Sequence, residues 1–345
     1  MTDIAPGLEE VRTRTFPFPA RHFLSVGDLE RDEVEALLDL AEGFVALNRQ
    51  KAKKLDLMKG RTLVNLFFEA STRTRTSFEV AAKILSADAV NWTAASSSVS
   101  KGETLVDTAR NIEAMHPDVL VIRHPAGGSP QLVADHVSCA VVSAGDGAHE
   151  HPTQGLLDIF TLAERFSAGG REGAALDFAS LSGKVVAIVG DVTHSRVARS
   201  DLHGLVKLGA AVRVCGPPTM IPPGIEALGA KVHHELRAAV EGADAVVMLR
   251  IQHERIGDPL IPGTREYSKF WGLNERKAAE WLAPSCLILH PGPINRGVEL
   301  APEVADGPHS VILDQVENGV AVRMAVLYLL AGGAPEAVGE GGARA

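Results

Sequence analysis

Short apolar runs alternate with segments whose apolar residues recur at helical spacing along most of the chain. The runs predict buried strands at 62–68, 119–122, 140–143, 184–189, 212–215, 245–249 and 287–289. The helical spacing predicts helices after Asp28 and at 74–85, 106–115, 154–166, 197–208, 225–228 and 320–330. Strands that alternate with helices are typical of parallel βαβ units. We therefore predict an α/β fold of two Rossmann-like domains, each a parallel sheet flanked by helices, joined by interdomain helices.

The series of elements divides at a break of small residues, Ser167-Ala-Gly-Gly-Arg-Glu-Gly. We expect an N-terminal arm at 1–20, a first domain at 21–166 and a second domain at 167–315. A C-terminal helix at 316–331 is expected to pack back on the first domain. The tail at 332–345 has too few apolar residues to bury, and we expect it to be disordered.

The composition is that of a folded chain with an acidic balance. The 345 residues suggest about two domains, at the usual size of roughly 100–200 residues each. Lys and Arg number 34 against 43 Asp and Glu, a net charge of −9, so the chain lacks the positive field that holds nucleic acid. We expect no nucleic-acid partner, and we expect any basic site to be local and to bind a small anion.

The cysteines and the apolar segments of the chain indicate in which cellular compartment the protein is expected. Cys139, Cys215 and Cys286 form no CxxC pair and lie in apolar stretches, which favours reduced thiols in a cytoplasmic protein. The N-terminus carries acidic residues where a signal peptide carries a basic and an apolar region. The longest near-apolar segment, 321–330, is shorter than the roughly 20 residues that span a bilayer. We expect neither export nor membrane insertion.

The segment after the first predicted strand has the composition of an anion site. It reads Ser71-Thr72-Arg73-Thr74-Arg75 and lies where a helix is expected to begin. Free backbone N–H groups at a helix N-terminus favour a phosphate, and Arg binds it with two parallel hydrogen bonds. The alternative is a surface helix capped by hydroxyl groups with solvated arginines.

Polar side chains also follow the other predicted strands. Parallel sheets bind ligands beyond the carboxyl ends of their strands, so these side chains are expected to converge. In the first half they are Arg123, His151 and Gln154, which could donate to a carbonyl group. In the second half Arg196 and Arg250 suit a ligand with two carboxylates, although either alone is more often a surface ion-pair partner. The loop with Lys101 is an anion-loop candidate or a plain connection.

Several other kinds of site are absent from the sequence. No GxGxxG follows Val189, and Gly183-Lys184 is followed by Val185 rather than by Ser or Thr, which disfavours dinucleotide sites and excludes a P-loop. His149-Glu-His151 has no HExxH and no Cys pair to complete a zinc site. We expect no metal and no cofactor.

Taken together, these motifs resemble the transcarbamoylase family. The resemblance rests on Ser71-Thr-Arg-Thr-Arg, Lys101-Gly-Glu-Thr, Arg123-His-Pro and His151-Pro-Thr-Gln, and covers about 20 to 330. It implies that 21–166 binds carbamoyl phosphate and 167–315 binds the amine. It assigns the phosphate to Ser71, Thr72, Arg73 and Thr74, and the carbamoyl group to Arg123, His151, Gln154, Gly292 and Pro293. It also implies that Ser97 and Lys101 come from a neighbouring subunit of a homotrimer and that Lys101 also contacts the amine substrate. Glu69, beside the phosphate motif, is expected to pair with an arginine there and to order the site.

The second half of the chain resembles the family members that use aspartate. Arg250-Ile-Gln252 and His290-Pro-Gly292-Pro293 carry this likeness, whereas the Ser-Met-Gly turn and His-Cys-Leu-Pro of ornithine enzymes are missing. The resemblance places aspartate on Arg196, Arg250, Gln252 and Lys101. It implies carbamoyl transfer to L-aspartate in pyrimidine biosynthesis, with regulatory chains or dihydroorotase as candidate partners. Transfer to ornithine or an acylated ornithine, and a non-catalytic partner protein, are the alternatives.

Overall fold

The computed structural model describes residues 21–93, 102–168, 176–252, 260–261 and 263–331. The expected arm at 1–20, the tail at 332–345, and the loop residues Ser97 and Lys101 lie outside these residues. Within the described chain, two parallel sheets are flanked by helices, so the predicted α/β architecture is confirmed.

The first sheet contains four parallel strands in the order β2-β1-β3-β4. Its strands are β1 (Thr62–Phe67), β2 (Asp88–Thr93), β3 (Val119–His124) and β4 (Ala140–Asp146). The helices of this half are α1 (Arg31–Asn48), α2 (Thr72–Ile84), α3 (Leu105–Glu113), α4 (Ser129–Ala134) and α5 (Pro152–Phe166). The chain crosses from one side of β1 to the other between β2 and β3, and this reversal opens a crevice at the carboxyl ends of β1 and β3.

The second sheet contains five parallel strands in the order β7-β6-β5-β8-β9. Its strands are β5 (Val185–Val189), β6 (Ala211–Cys215), β7 (Ala230–His233), β8 (Ala245–Met248) and β9 (Leu287–Leu289). The helices are α6 (Arg196–Lys207), α7 (Leu236–Val240), α8 (Thr264–Phe270), α9 (Glu275–Trp281), α10 (Pro302–Ala305) and α11 (Ile312–Ala331). Here the strand order reverses between β5 and β8.

Three helices join the two halves. Helix α5 packs against α6 of the second half and against α11, and α11 also packs on α1 and α2 of the first half. The contact between α5 and α6 is close, since a Cβ added at Gly155 would lie 2.7 Å from the Cβ of Ser200. The ends of α5, α6 and α11 are therefore fixed relative to one another.

The structure extends and corrects several predicted elements. All seven predicted strands are present, and two further strands, β2 and β7, were not predicted. The predicted helix at 225–228 is a short 3₁₀ turn. Helix α11 begins at Ile312, before the predicted start at 316 or 320. Arg123 lies within strand β3, one residue before its end, rather than after the strand.

The described residues contain no helix long and apolar enough to cross a bilayer. Cys139, Cys215 and Cys286 are all free thiols. Burial raises the pKa of Cys215 and of Cys286 to about 12, which keeps both thiols protonated and unreactive.

Candidate active site

The carboxyl ends of the two sheets face a common cleft of about 700 Å³. Its walls come from the segments that follow β1, β5, β8 and β9, from the end of β3, and from the first turns of α5 and α6. The reversal points of both sheets contribute, which is where open α/β sheets bind ligands. The topology of each half therefore determines where the cleft forms.

The N-terminus of α2 opens into this cleft with its backbone donors uncapped. Ser71 is in the N-cap position, yet its side chain makes no capping hydrogen bond, and no acidic residue occupies the first turn. Thr74, one turn inside the helix, lies with its Oγ1 3.4 Å from Nε2 of His151. Free N–H groups, hydroxyls and the positive end of the helix together favour a bound phosphate.

Arg73 extends from this helix across the cleft to the second half. A Cβ added at Gly292 would lie 2.9 Å from its guanidinium carbon, so the Arg73 side chain lies directly against the Gly292 backbone. Gly292 has a φ of +63°, which also favours glycine. Burial, together with the charge of Arg250, lowers the pKa of Arg73. Two guanidinium groups that repel each other gain most from an anion placed between them.

Glu69 is not itself a lining residue, but it pairs with two arginines that line the cleft. Its carboxylate lies 3.4 Å from Nε of Arg123, which comes from the first half. It lies 2.7 Å from Nη2 of Arg196, which comes from the second half. Glu69 thus pairs with two arginines, as an arginine pairing was predicted, but both lie outside the phosphate motif beside which that pairing was expected.

Arg196 is 3% exposed and still lines the cleft. Burial and the nearby charge of Arg123 lower its pKa to about 10, so the side chain stays protonated at neutral pH. Only Nη2 bonds to Glu69, whereas Nε and Nη1 have no hydrogen-bond partner among the described residues. Buried guanidinium N–H groups of this kind are suited to receive a carboxylate from a ligand.

Arg250 and Gln252 lie on the segment that follows β8. Nη2 of Arg250 donates to the Gln252 side-chain oxygen over 3.1 Å, and Nε2 of Gln252 donates to the Arg250 carbonyl over 3.4 Å. The backbone N–H of Gln252 donates to Asp191. These bonds hold the two side chains together at the wall of the cleft.

A buried histidine supports the loop that contains Gly292 and Pro293. Nδ1 of His290 accepts the backbone N–H of Gly292 over 2.8 Å, so the ring proton is on Nε2, which donates to Glu299 over 3.2 Å. Burial lowers the pKa of His290, consistent with a neutral ring. The hydrogen bonds of His290 with Gly292 and with the buried carboxylate of Glu299 thus stabilise the geometry of the loop.

The cleft lining is strongly positive. It includes six arginines and no carboxylate among the described residues; the arginines are Arg73, Arg123, Arg196, Arg250, Arg296 and Arg323. Such a site repels a cationic ligand and attracts one with several negative charges.

Two family profiles match consecutive parts of the chain. "Aspartate/ornithine carbamoyltransferase, carbamoyl-P binding domain" matches residues 21–164, and "Aspartate/ornithine carbamoyltransferase, Asp/Orn binding domain" matches residues 182–330. The chain belongs to the aspartate/ornithine carbamoyltransferase family. The predicted family resemblance is confirmed.

Close relatives of this carbamoyltransferase chain have similar lengths. It is 70% identical to the aspartate carbamoyltransferase catalytic subunit of Anaeromyxobacter sp. (strain Fw109-5), over 93% of this chain and 98% of the relative. It is 54% identical to the catalytic subunit of the same name from Geobacter sulfurreducens, over 92% of this chain and 98% of the relative.

Solved carbamoyltransferase structures share the fold. Aspartate transcarbamoylase from Trypanosoma cruzi in complex with carbamoyl phosphate matches with a TM-score of 0.78 and 28% identity, over 91% of this chain and 96% of the other. Ornithine carbamoyltransferase from Thermus thermophilus matches with a TM-score of 0.76 and 30% identity, over 90% and 99%. Because both activities occur on this fold, the fold alone does not select the amine.

The structure of this carbamoyltransferase brings twelve of the fourteen predicted site residues to the cleft. They are Ser71, Thr72, Arg73, Thr74, Arg123, His151, Gln154, Arg196, Arg250, Gln252, Gly292 and Pro293. Ser97 and Lys101 lie outside the described residues, so their position in the site stays a prediction. The roles of all fourteen also stay predictions.

Six further polar residues line the cleft and were not predicted as site residues: Ser77, Ser195, His290, Arg296, Gln315 and Arg323. Arg323 is the single charged residue of the near-apolar segment 321–330, and this isolated charge is the signal that could have indicated its role. The described residues contain no group of three or more His, Cys, Asp or Glu side chains that could hold a metal ion.

Proposed function

We propose that the chain transfers the carbamoyl group of carbamoyl phosphate to the α-amine of L-aspartate, giving N-carbamoyl-L-aspartate and phosphate. The observation that carries this proposal is the composition of the cleft. It joins an uncapped helix N-terminus beside Arg73 to a second group of arginines, Arg196 and Arg250, without any lining carboxylate in the described chain. One group suits a phosphate and the other suits a dicarboxylate.

The phosphate end of carbamoyl phosphate is assigned to Ser71, Thr72, Arg73 and Thr74, at the start of α2. The carbamoyl group is assigned to Arg123, His151 and Gln154, with the backbone carbonyls of Gly292 and Pro293 accepting from its NH₂ group. This division makes 21–166 the carbamoyl-phosphate domain. The contact between Arg73 and Gly292 supports a site that needs both halves of the chain.

Aspartate is assigned to Arg196, Arg250 and Gln252 of the domain at 167–315, together with Lys101. The unpartnered Nε and Nη1 groups of Arg196 support a role in binding one carboxylate. Ornithine is disfavoured because its side chain is cationic and would meet six arginines.

The amine attacks the carbamoyl carbon, a tetrahedral intermediate forms, and the bond to the phosphate oxygen breaks. Donors from Arg123, His151 and Thr74 stabilise the charge that develops on the carbamoyl oxygen, a contribution of about 3–4 kcal/mol for a well-placed donor. The departing phosphate takes the proton that the attacking amine loses. No lining carboxylate of the described residues offers itself as a competing base.

The assembly and setting of the enzyme form a further part of the proposal. Ser97 and Lys101 complete the site of a neighbouring subunit in a homotrimer, as the family resemblance implies. Three free thiols support a cytoplasmic protein, and the product places the reaction early in pyrimidine (UMP) biosynthesis. Relatives named catalytic subunits support regulatory chains as candidate partners, beside dihydroorotase.

The decisive experiment measures product formation from carbamoyl phosphate with L-aspartate, with L-ornithine and with no amine. We expect carbamoyl aspartate with aspartate alone. Turnover with ornithine instead would keep the assignments in the first half and overturn those of Arg250 and Gln252. A folded protein without turnover on either amine would support the non-catalytic alternative.

A further inference from the structure

A buried carboxylate lies one helical turn behind the cleft. Asp158 of α5 is 2% exposed, and one of its oxygens, Oδ1, accepts from two side-chain amides. Nε2 of Gln154 donates to it over 3.0 Å, and Nε2 of Gln315 donates to it over 2.5 Å. The oxygen of Gln315 in turn accepts the backbone N–H of His290 over 2.9 Å. A single carboxylate thus connects α5 to α11 and, through α11, to the segment that follows β9.

A carboxylate that is ionised can only accept hydrogen bonds, and this property orients both amides. The two ends of a glutamine amide have nearly the same shape, so their orientation depends on the groups that they meet. Because Asp158 accepts the NH₂ group of Gln154, the remaining amide atoms are presented to the cleft in one orientation. Because Asp158 accepts a hydrogen bond from the NH₂ group of Gln315, the side-chain oxygen of Gln315 is the atom available to accept the backbone N–H of His290.

Burial and the polar neighbours of Asp158 act in opposite directions on its ionisation. Burial raises the pKa of Asp158 to about 7, while the amides of Gln315 and Gln154 and the Arg323 guanidinium act in the opposite direction. Asp201 of α6 contacts the same carboxyl group, and burial and the Asp158 charge raise its pKa well above the usual range. Neither carboxyl oxygen of Asp201 has a hydrogen-bond partner among the described residues. Because the negative charge of Asp158 is itself a cause of the raised pKa of Asp201, a proton on this pair of carboxyl groups favours Asp201 and leaves Asp158 as the acceptor.

We propose that Asp158 is a positioning residue for carbamoyl transfer. Its carboxylate orients the Gln154 amide on one side of the carbamoyl subsite and, through Gln315 and the His290 backbone, holds the Gly292–Pro293 loop on the other. The inference rests on the proposed function, because that function assigns the carbamoyl group to Gln154 and the loop carbonyls. Asp158 itself touches no substrate.

The test replaces Asp158 by Leu, which leaves the NH₂ groups of Gln154 and Gln315 without this hydrogen-bond acceptor. We expect kcat with aspartate to fall about 10–100-fold, a smaller loss than the 10²–10³ typical of deleting a direct donor. The KM for carbamoyl phosphate should rise, and the KM for aspartate should stay within about twofold of wild type. Asp158→Asn keeps one carbonyl acceptor and should recover most of the lost kcat.

The matched control is Asp314→Leu. Asp314 of α11 pairs with Arg165 of α5 across the same helix interface. This variant should lose stability and keep kcat per folded chain. Equal loss of kcat in both Leu variants would assign Asp158 a structural role alone and overturn the proposal.

A binding measurement separates this inference from the proposed function. Isothermal titration compares carbamoyl phosphate with inorganic phosphate, which lacks the carbamoyl group. Asp158→Leu should lower the affinity for carbamoyl phosphate and leave the affinity for inorganic phosphate unchanged, whether or not the wild type turns over aspartate. Equal affinities for carbamoyl phosphate in wild type and variant would overturn the inference. If Asp158→Leu fails to fold, Gln315→Leu replaces it, and an unchanged kcat and KM for carbamoyl phosphate there would overturn it too.

Discussion

Replacing Glu69 by Gln tests whether its negative charge positions Arg123 and Arg196 in the cleft. Glu69 is the carboxylate that lies between Arg123 and Arg196, at 3.4 and 2.7 Å. The side chains of these arginines are 14% and 3% exposed, so water screens their mutual repulsion poorly. The Gln side chain keeps the shape and one acceptor oxygen but removes the negative charge.

The expected cost follows from this burial. Breaking a buried ion pair by removing one partner usually costs about 3–5 kcal/mol. Glu69 is itself 20% exposed and Gln can still accept one hydrogen bond, so we expect the free energy of unfolding to fall by about 1–3 kcal/mol. If the same free energy is lost from the positioning of Arg196 and Arg123, kcat/KM for aspartate falls roughly 10–100-fold.

The assay combines urea unfolding with steady-state kinetics at saturating carbamoyl phosphate. The control is Glu35→Gln, which removes an exposed carboxylate that lies 2.8 Å from Arg31 on α1. Exposed pairs contribute little, so the control should change stability by less than about 0.5 kcal/mol and leave kinetics unchanged. A Glu69→Gln enzyme with the wild-type unfolding midpoint and kcat/KM within about twofold would refute the argument.

Four shorter predictions test other parts of the site. Arg123→Ala should lower kcat about 10²–10³-fold, because it removes a donor to the carbamoyl oxygen, and a near-wild-type kcat would exclude that role. Gly292→Ala should raise the KM for carbamoyl phosphate, because the added Cβ would lie 2.9 Å from the Arg73 guanidinium carbon at a φ of +63°; a normal KM would show that Arg73 can move freely. Inactive Arg73→Ala and Lys101→Ala chains should regain activity when mixed and reassembled, and verified mixed trimers without recovery would argue against shared sites. Asp201→Asn should make the urea midpoint less dependent on pH between 5 and 8. Because the pKa of Asp201 is raised in the folded state, folded wild type holds a proton that the unfolded chain has lost, so wild-type stability falls as pH rises. Equal slopes of the urea midpoint against pH in variant and wild type would contradict a protonated Asp201.

Both strands that the sequence analysis missed lie at the edge of a sheet. β2 is mostly exposed or half-buried, and β7 contains a single buried residue, Ala230. Strands that are covered on both faces read as continuous apolar runs, and this signal predicted the other seven strands, including the edge strands β4 and β9. β2 and β7 lack that signal because most of their side chains are not buried, and their pairing is decided by the neighbouring strand.

The start of α11 was missed for a related reason. Its first turns contain Asp314, Gln315 and Asn318, which interrupt the apolar spacing and suggest a loop. In the structure these polar side chains are buried and bond to polar groups of α5: Asp314 to Arg165, Gln315 to Asp158, and Asn318 to Thr161. A polar residue on a buried helix face is recognisable only once its partner on the other helix is known.

The sequence by itself determined the βαβ pattern, the two halves, and the short motifs at the strand ends that carry the family resemblance. These depend on local spacing and on residue type, which are visible along the chain. Only the tertiary structure decided that Glu69 joins an arginine from each half, that Arg73 lies against Gly292, and that Asp158 holds amides from two helices. The contacts of Glu69 with Arg196, of Arg73 with Gly292 and of Asp158 with Gln315 each join residues more than a hundred positions apart. They arise from the crossing of helices and the reversal of strand order rather than from any local pattern.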